Sequence, residues 1–326
     1  MSQSSITTYP RLLGDVGGTN ARFAWQSEPG APIESVCTYP CKDHESLLKA
    51  LQHYLREQQK PQPQTCCIGI ATPLVGDEVK MTNHHWSFSI SALERALGVS
   101  RLLVINDFTA LALSLPSLPA DELFQVGGGQ PDAKAPVALL GAGTGLGVSG
   151  LLPVPRAGGL VPITGEGGHV TLSPTDERQE AVVRELRRRF GHPSAERALS
   201  GPGLVNLYQA LCALDGVPAR VDTGAAVTDA AVSGADPQCV EAVAIFFSLL
   251  GTVAGNLALS LGARGGVYIG GGIVPKLGDG ITRSGFRAAF EQKGRYQGYM
   301  AAIPVFVITA KQSPALLGAS RALDEL

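Results

Sequence analysis

The run Leu12-Leu13-Gly14-Asp15-Val16-Gly17-Gly18-Thr19-Asn20 constrains this chain more than any other. It is an apolar strand end that breaks into glycines, one acid and a hydroxyl, the make-up of a loop that wraps a phosphoryl group. Glycine permits positive φ and leaves no Cβ between backbone N–H groups and an anion, so Gly17-Gly18 would let the chain curl tightly around a phosphate. Thr19 and Asn20 add donors beside it. Asp15 repels a phosphate, so its natural partner there is a hydrated magnesium ion carried by a nucleotide. Taken singly, Gly-Gly after a strand is also an ordinary turn. Two further runs repeat the pattern. Val137 to Val148 is an apolar strand breaking into glycines around Thr144, and Gly266-Val267-Tyr268-Ile269-Gly270-Gly271-Gly272 is a third such break. Together they point to one nucleotide held from three sides.

A nucleotide site of this kind needs a large scaffold. The 326 residues are 44% hydrophobic and 17% charged, enough for a sizeable core, and two large α/β lobes are the simplest division. Lys plus Arg number 26 against 28 for Asp plus Glu, a formal net charge of −2 that offers no electrostatic footprint for nucleic acid or an anionic membrane. The six cysteines, Cys37, Cys41, Cys66, Cys67, Cys212 and Cys239, contain no C-x-x-C pair and read as reduced cytosolic thiols. Met1 to Pro10 has neither a basic start nor an apolar core, so no secretory signal is expected there. Ala242 to Ala263 has the length of a membrane span and no charge. Ser248, Gly251, Thr252, Gly255, Asn256, Ser260 and Gly262 interrupt it, however, and no Lys/Arg asymmetry flanks it, which favours a helix buried between lobes.

Taken in order, the chain predicts a strand over Arg11–Asp15 and a hairpin through Ala21–Trp25 and Ser35–Pro40. An amphipathic helix follows over Asp43–Gln59, then a buried strand over Cys66–Ala71 and an edge strand over Val79–Thr82. Ser91–Leu97 is a helix with Ser91 as its cap. Arg101–Ile105 is an apolar strand ending in Asn106-Asp107-Phe108, where a helix begins. Strands alternating with helices argue for a largely parallel sheet, whose ligands sit at the carboxyl ends of strands. The two prolines between Leu115 and Pro119 mark a lobe boundary. Beyond it come the Gly143 loop, a meander through Val148–Val161, a charged helix over Thr175–Phe190, a helix over Leu204–Leu214 and a short helix within Asp222–Asp236. A last helix over Ser313–Leu326, with Ser313 as cap and Pro314 in its first turn, folds back onto the first lobe to close the interlobe hinge. The basic run Arg187-Arg188-Arg189 is a solvated helix face.

Several polar residues in the loops admit two readings. Asn106-Asp107 suits a helix N-cap as well as a site at a strand end. Glu166 and His169 stand in the glycine-rich turn Thr164-Gly165-Glu166-Gly167-Gly168-His169, and each alone fits a solvated surface position. Glu196 beside Arg197 fits a surface ion pair. Jointly, these acids, amide and imidazole supply the acceptors and donors that a polyhydroxylated ligand requires, alongside phosphate loops. His84-His85 lacks a third metal ligand at useful spacing and reads as structural.

These motifs together resemble a known family. Gly14-Asp15-Val16-Gly17-Gly18-Thr19-Asn20, Ile105-Asn106-Asp107-Phe108, Gly141 to Gly147, Gly165-Glu166-Gly167-Gly168-His169 and Glu196 to Gly203 stand in the order and spacing of bacterial glucokinases of the proteobacterial type, from about Leu12 to the C-terminal helix. The resemblance implies an α/β, two-lobed actin-like (ribonuclease-H-like) ATPase fold with an interlobe cleft. A small lobe over residues 1–117 would be completed by a C-terminal helix over 313–326, and a large lobe would span 118–312. It implies phosphorylation of D-glucose at O6 by ATP, with magnesium, in the cytoplasm, and commonly as a homodimer. By the same resemblance Asp107 matches the catalytic base, and Asn106, Asp107, Glu166, His169 and Glu196 match the glucose contacts. Gly14, Asp15, Val16, Gly17, Gly18 and Thr19 match the first phosphate loop, with Asp15 toward the metal. Thr144 and Gly145 match the second phosphate loop, and Gly270 and Gly271 the adenosine-side turn. The cysteine-rich zinc motif of the related repressor and open-reading-frame kinases is absent.

Phosphoryl transfer asks a protein mainly to position two substrates and neutralise charge on the γ-phosphate, and closure of a cleft would exclude water. Two other classes are compatible with the phosphate loops. An acyl-phosphate-forming kinase would hold a carboxylate, which Glu166, His169 and Glu196 suit less well than hydroxyls. A sugar-sensing regulator would need a helix-turn-helix domain, for which Met1 to Pro10 is too short.

Overall fold

The computed structural model describes residues 8–82, 84–154, 159–310 and 312–324. Most of the Met1 to Pro10 segment therefore lies outside the described residues. The chain divides into two compact units, Met1–Pro119 with Ala310–Leu326, and Ala120–Thr309.

In the first unit β1 (Arg11–Val16), β2 (Asn20–Gln26) and β3 (Glu34–Pro40) form an antiparallel meander. Helix α1 (Leu47–Glu57) begins later than Asp43, because Cys41–Asp43 forms a separate 3₁₀ turn and the Ser46 side chain caps the helix by accepting from Lys49 N–H at 3.3 Å. Its Leu47, Ala50, Leu51 and Tyr54 are buried in the core of the unit. The fully buried β4 (Thr65–Ile70) follows, and burial pushes the Cys67 thiol up to about 12. β5 (Glu78–Lys80) and β6 (Ser87–Ser89) pair only with each other, so the predicted edge strand over Val79–Thr82 belongs to a separate two-stranded sheet. Helix α2 (Ile90–Leu97) is capped by Ser89, which accepts from Ala92 N–H at 3.1 Å, and not by Ser91. The Asp77 carboxylate takes the Ser91 N–H at 2.8 Å and fixes that start. β7 (Arg101–Asn106) then leads directly into α3 (Asp107–Ser114).

The five strands run in the order β3-β2-β1-β4-β7. β1–β4 and β4–β7 are parallel, whereas β1–β2 and β2–β3 are antiparallel, so the sheet is mixed where a largely parallel one was expected. The cause is the Gly17–Thr19 turn, which reverses the chain in a hairpin too short for any parallel crossover. Asn83 lies outside the described residues. His84 and His85 stack at 4.2 Å between ring centroids, and His84 meets the buried Trp86 edge-on at 4.9 Å. Burial and the neighbouring imidazole hold His84 below its ordinary pKa.

The second unit repeats this topology. It contains β8 (Leu123–Val126), β9 (Val137–Ala142), β10 (Leu146–Val154) and β11 (Gly159–Ile163), then α4 (Glu177–Phe190), α5 (Gly201–Asp215), α6 (Gly224–Ser233) and α7 (Pro237–Leu261). β12 (Val267–Gly270), the short helices α8 (Ile273–Lys276), α9 (Gly280–Arg283), α10 (Phe286–Glu291) and α11 (Gln297–Ala301), and β13 (Val305–Ile308) complete it. The sheet order is β11-β10-β9-β12-β13-β8, so an antiparallel meander again borders parallel strands, with β8 added antiparallel at the far edge. Residues 155–158 of the predicted meander are outside the described set. Asp176 caps α4 by accepting from Gln179 N–H at 2.8 Å. On that helix Arg188 pairs with Glu185 at 2.7 Å and Arg189 donates to Gln209 at 2.7 Å, so two of the three arginines of the basic run are engaged locally.

The apolar run around Ala242 to Ala263 lies within α7. That helix is long and apolar enough to cross a membrane, yet 67% of its most apolar window is buried. It fills the core of the second unit, where the sequence had suggested a place between lobes. Its small residues explain why: a Cβ on Gly255 would sit 2.6 Å from Phe290 O, so glycine lets the α10 backbone pack directly on α7.

The C-terminal helix α12 (Pro314–Asp324) belongs to the first unit, and residues 325–326 at its predicted end are outside the described set. Arg11, buried in β1, donates to Ser320 O at 2.9 Å and pairs with Asp324 at 2.8 Å, pinning the helix to the sheet. Gly318 faces α3 so closely that a Cβ there would collide with Ala110 O. Alanine is the better helix former by about 1 kcal/mol. Even so, Gly318→Ala should destabilise the protein by roughly 1–3 kcal/mol through overpacking. An unfolding midpoint equal to or above the parent's would contradict this contact.

Candidate active site

In the first unit the sheet register brings the candidate residues to one edge. Val16 at the end of β1 pairs with Ile70 at the end of β4, and Ile70 pairs with Asn106 at the end of β7. The Gly17–Thr19 turn and the Asn106-Asp107 step therefore leave the same end of the sheet, two strands or roughly 10 Å apart. Gly14 is packed in the sheet, where a Cβ would lie 3.3 Å from Ile68, so it shapes the strand behind the turn. Gly17 N–H donates to Asn20 O at 2.9 Å and closes the hairpin, while Thr19 is exposed. Neither Gly17 nor Gly18 has positive φ, so the turn does not use the left-handed freedom expected of it. The Asp15 carboxylate accepts through Oδ2 from Ser313 Oγ at 2.6 Å and from Arg22 Nη1 at 3.1 Å.

The two readings of Asn106-Asp107 separate at α3. Asn106 is the N-cap: its Oδ1 accepts from Phe108 N–H at 2.9 Å and from Thr109 N–H at 3.3 Å. Asp107 is the first helical residue, and its Oδ1 lies 3.0 Å from Phe108 N–H. The residue before α3 thus does the capping that aspartate was weighed for, and its amide nitrogen remains as a donor to a ligand.

In the second unit the residues gather around the start of β10. The Gly143–Gly145 turn is closed by Gly143 N–H donating to Gly145 O at 2.8 Å. Thr144 at its tip is exposed. Glu196 makes no ion pair with Arg197, whose guanidinium lies 4.4 Å from the Phe190 ring centroid. Instead the Glu196 Oε2 accepts from Leu146 N–H at 2.9 Å, and a Cβ on Gly145 would collide with that oxygen. The Glu166–His169 turn packs on the same strand: Gly168 has no room for a Cβ against Leu146 O, and His169 N–H donates to Glu166 O at 3.0 Å. Glu166 and His169 are exposed and Glu196 is half-buried. Gly271 has φ +79 and a Cβ there would collide with Ala142 O, so Gly270 and Gly271 meet the β9 backbone, and Gly272 and Ile273 turn toward a cleft.

That cleft, of 1120 Å³, lies wholly in the second unit. Thr144 and Gly272 border it, and polar walls come from Asn206 and Gln209 of α5, Thr223 and Asp229 at α6, and Lys276 of α8. None of these wall residues was singled out from the sequence. For Thr223 and Asp229 the small polar stretch Asp222–Asp236 was the available signal, since a capped helix of small residues leaves space above it. Among the described residues no three His, Cys, Asp or Glu side chains gather as a metal site.

Two units that each carry a strand, a glycine turn and a returning strand, and continue into parallel strands, define the actin-like ATPase fold. The glucokinase family model matches residues 12–326. The chain is 55% identical to a glucokinase of Aromatoleum aromaticum over 97% of its own length and 95% of that protein's, and 54% identical to one of Chromobacterium violaceum over 100% and 92%. A crystal structure of a glucokinase from an Antarctic psychrotroph superposes with a TM-score of 0.87 at 34% identity, covering 97% of this chain and 99% of that one. The chain belongs to the glucokinase family, and its activity is ATP-dependent phosphorylation of glucose.

The split at α3 gives a clean test. Serine caps helices about as well as asparagine but has no amide. Asn106→Ser should unfold at the parent's midpoint while binding glucose about tenfold or more weakly in calorimetry. Unchanged glucose affinity would leave Asn106 a cap and nothing more.

Proposed function

We propose that Asp107 is the general base that takes the proton from the sugar 6-hydroxyl as O6 attacks the γ-phosphate of ATP, giving glucose 6-phosphate. The observation that carries this reading is the division of labour at α3. Asn106 accepts both first-turn N–H bonds of the cap, so the carboxylate of Asp107 is not needed to start the helix. It stands at the same sheet edge as the Gly17–Thr19 turn. Asn106, Glu166, His169 and Glu196 would bind the remaining sugar hydroxyls, each offering a donor or acceptor that an epimer leaves unpaired. The backbone of the Gly14 to Thr19 and Thr144-Gly145 segments would receive the phosphates, and the cleft beside Gly272 the adenosine. The two units would be the two lobes of the kinase.

Magnesium is part of the proposal. Asp15 offers a single carboxylate, of which Oδ2 is held by Ser313 and Arg22 while Oδ1 faces no protein donor among the described residues. One carboxylate reached mainly through water suits Mg²⁺, which keeps most of its hydration and binds largely to nucleotide phosphates. When bound, the ion would neutralise charge on the β- and γ-phosphates. A cytoplasmic location and a homodimer complete the reading, as the family resemblance implies.

Asparagine keeps the size of Asp107 but cannot accept the proton. Asp107→Asn should fold normally, bind glucose, and lose roughly 10² or more in kcat. Thermal unfolding, glucose calorimetry and a coupled assay on one preparation decide the matter. Turnover within a few-fold of the parent by a folded, glucose-binding variant would rule Asp107 out as the base.

A further inference from the structure

We infer that Glu196 is also a positioning residue for the second phosphate loop, so that one carboxylate serves both substrates. The inference rests on the reading of Thr144-Gly145 as a phosphate loop and goes beyond the sugar contact assigned to Glu196. Its basis is a connected set of contacts inside the second unit. The Oε2 atom accepts from Leu146 N–H at 2.9 Å, the first amide after the turn. Gly145 lies against the same oxygen, with no room for a side chain between them. The turn is held on its other side as well: Gly201 N–H donates to Gly143 O at 2.8 Å. Gly201 opens α5, whose cap Ser200 donates its hydroxyl to Glu196 O at 2.8 Å and accepts from Gly203 N–H at 2.9 Å. The short stretch from Glu196 to Gly201 therefore grips the Gly143–Gly145 turn at both ends, by a side chain at one and a backbone amide at the other.

This geometry divides the carboxylate. Oε2 is committed to the loop, and Oε1 accepts no hydrogen bond from another side chain or amide among the described residues, which leaves that second oxygen for a sugar hydroxyl. A hydrogen bond from a sugar to Oε1 would fix the side-chain torsions that also set Oε2. Ordering of the loop would then accompany sugar binding, and by linkage a nucleotide on the ordered loop would favour the sugar. A residue that only touched the sugar would have no influence on ATP when the sugar is absent. That difference supplies the test.

A non-hydrolysable ATP analogue with Mg²⁺ is titrated calorimetrically into the glucose-free protein. Glu196→Ala should bind it roughly tenfold or more weakly while still unfolding cooperatively, at a somewhat lower midpoint because the Leu146 amide loses a charged acceptor. Glu196→Gln, whose amide oxygen still accepts, should stay within a few-fold of the parent. Thr144→Val, run in parallel, tests the loop itself. If Thr144→Val weakens the analogue and Glu196→Ala does not, the bracing role is wrong while the loop assignment stands. If neither variant weakens it, the loop is not on the phosphates and both readings fall. Should Glu196→Ala lose cooperative unfolding, Glu196→Asp asks the same question, because a side chain one methylene shorter withdraws from Leu146 N–H. Parent-like analogue affinity in a folded Glu196→Asp would then overturn the inference.

Discussion

The cleft of the second unit depends on a close backbone approach between the ends of β9 and β12. Gly141 and Gly270 are paired in register, and a Cβ on Gly141 would lie 2.5 Å from the Gly270 carbonyl carbon. One residue on, Gly271 takes a left-handed φ of +79 against Ala142 O. No L side chain fits either position, so glycine is required by contact at one and by conformation at the other. This approach lets β9 end in the Thr144 turn and β12 end in the Gly272 corner beside it, and the 1120 Å³ cleft opens between these two turns and α5 and α6. Close approach of two strand ends thus leaves open the space of that cleft.

The same device, used with different chemistry, distinguishes the two units. Each contains an antiparallel hairpin closed by a glycine turn, and each continues into parallel strands. In the first unit the parallel strand β7 delivers Asn106 and Asp107, and α12 returns to place Ser313 on Asp15. In the second, the space after β12 is left open for a ligand, and the polar groups Glu166, His169 and Glu196 are hung on the start of β10 through contacts with Leu146 and Gly145. A shared topology therefore presents Asn106 and Asp107 at a strand end in one unit and Glu166, His169 and Glu196 around a strand start in the other. Gly318, Gly255 and Gly168 show the supporting principle: where helices or turns must touch backbone to backbone, a missing side chain sets the distance.

Much of this was legible in the sequence. The strand-to-glycine breaks at Gly17, Gly143 and Gly270, the strand end at Asn106 and the buried helix around Ala242 to Ala263 each rest on local pattern, and local pattern determines where strands stop. What local pattern does not encode is pairing. The hairpin at Gly17–Thr19 made the sheet mixed, and Glu78–Lys80 joined Ser87–Ser89 in a sheet of its own. Caps depend on which acceptor wins: Asp77, a dozen residues away, moved the start of α2 to Ser89. The cleft walls Asn206 and Gln209 stand on a helix whose pattern shows its buried leucine face, and Thr223 caps one made of small residues; neither pattern encodes a cleft. Glu196 looked like half of an ion pair because Arg197 follows it, whereas the fold sends the acid to Leu146 N–H and the arginine to Phe190.

The most direct measurement is a crystal structure of the protein with glucose and a non-hydrolysable ATP analogue. A carboxylate oxygen of Asp107 should lie within hydrogen-bond reach of the sugar O6, roughly 2.6–3.2 Å, with the γ-phosphate on the opposite side of O6. The Asn106 amide and Glu196 Oε1 should bind other hydroxyls, and the phosphates should lie on the Gly17–Thr19 and Thr144-Gly145 turns. A sugar seated with O6 away from Asp107, or phosphates held away from those turns, would contradict the account.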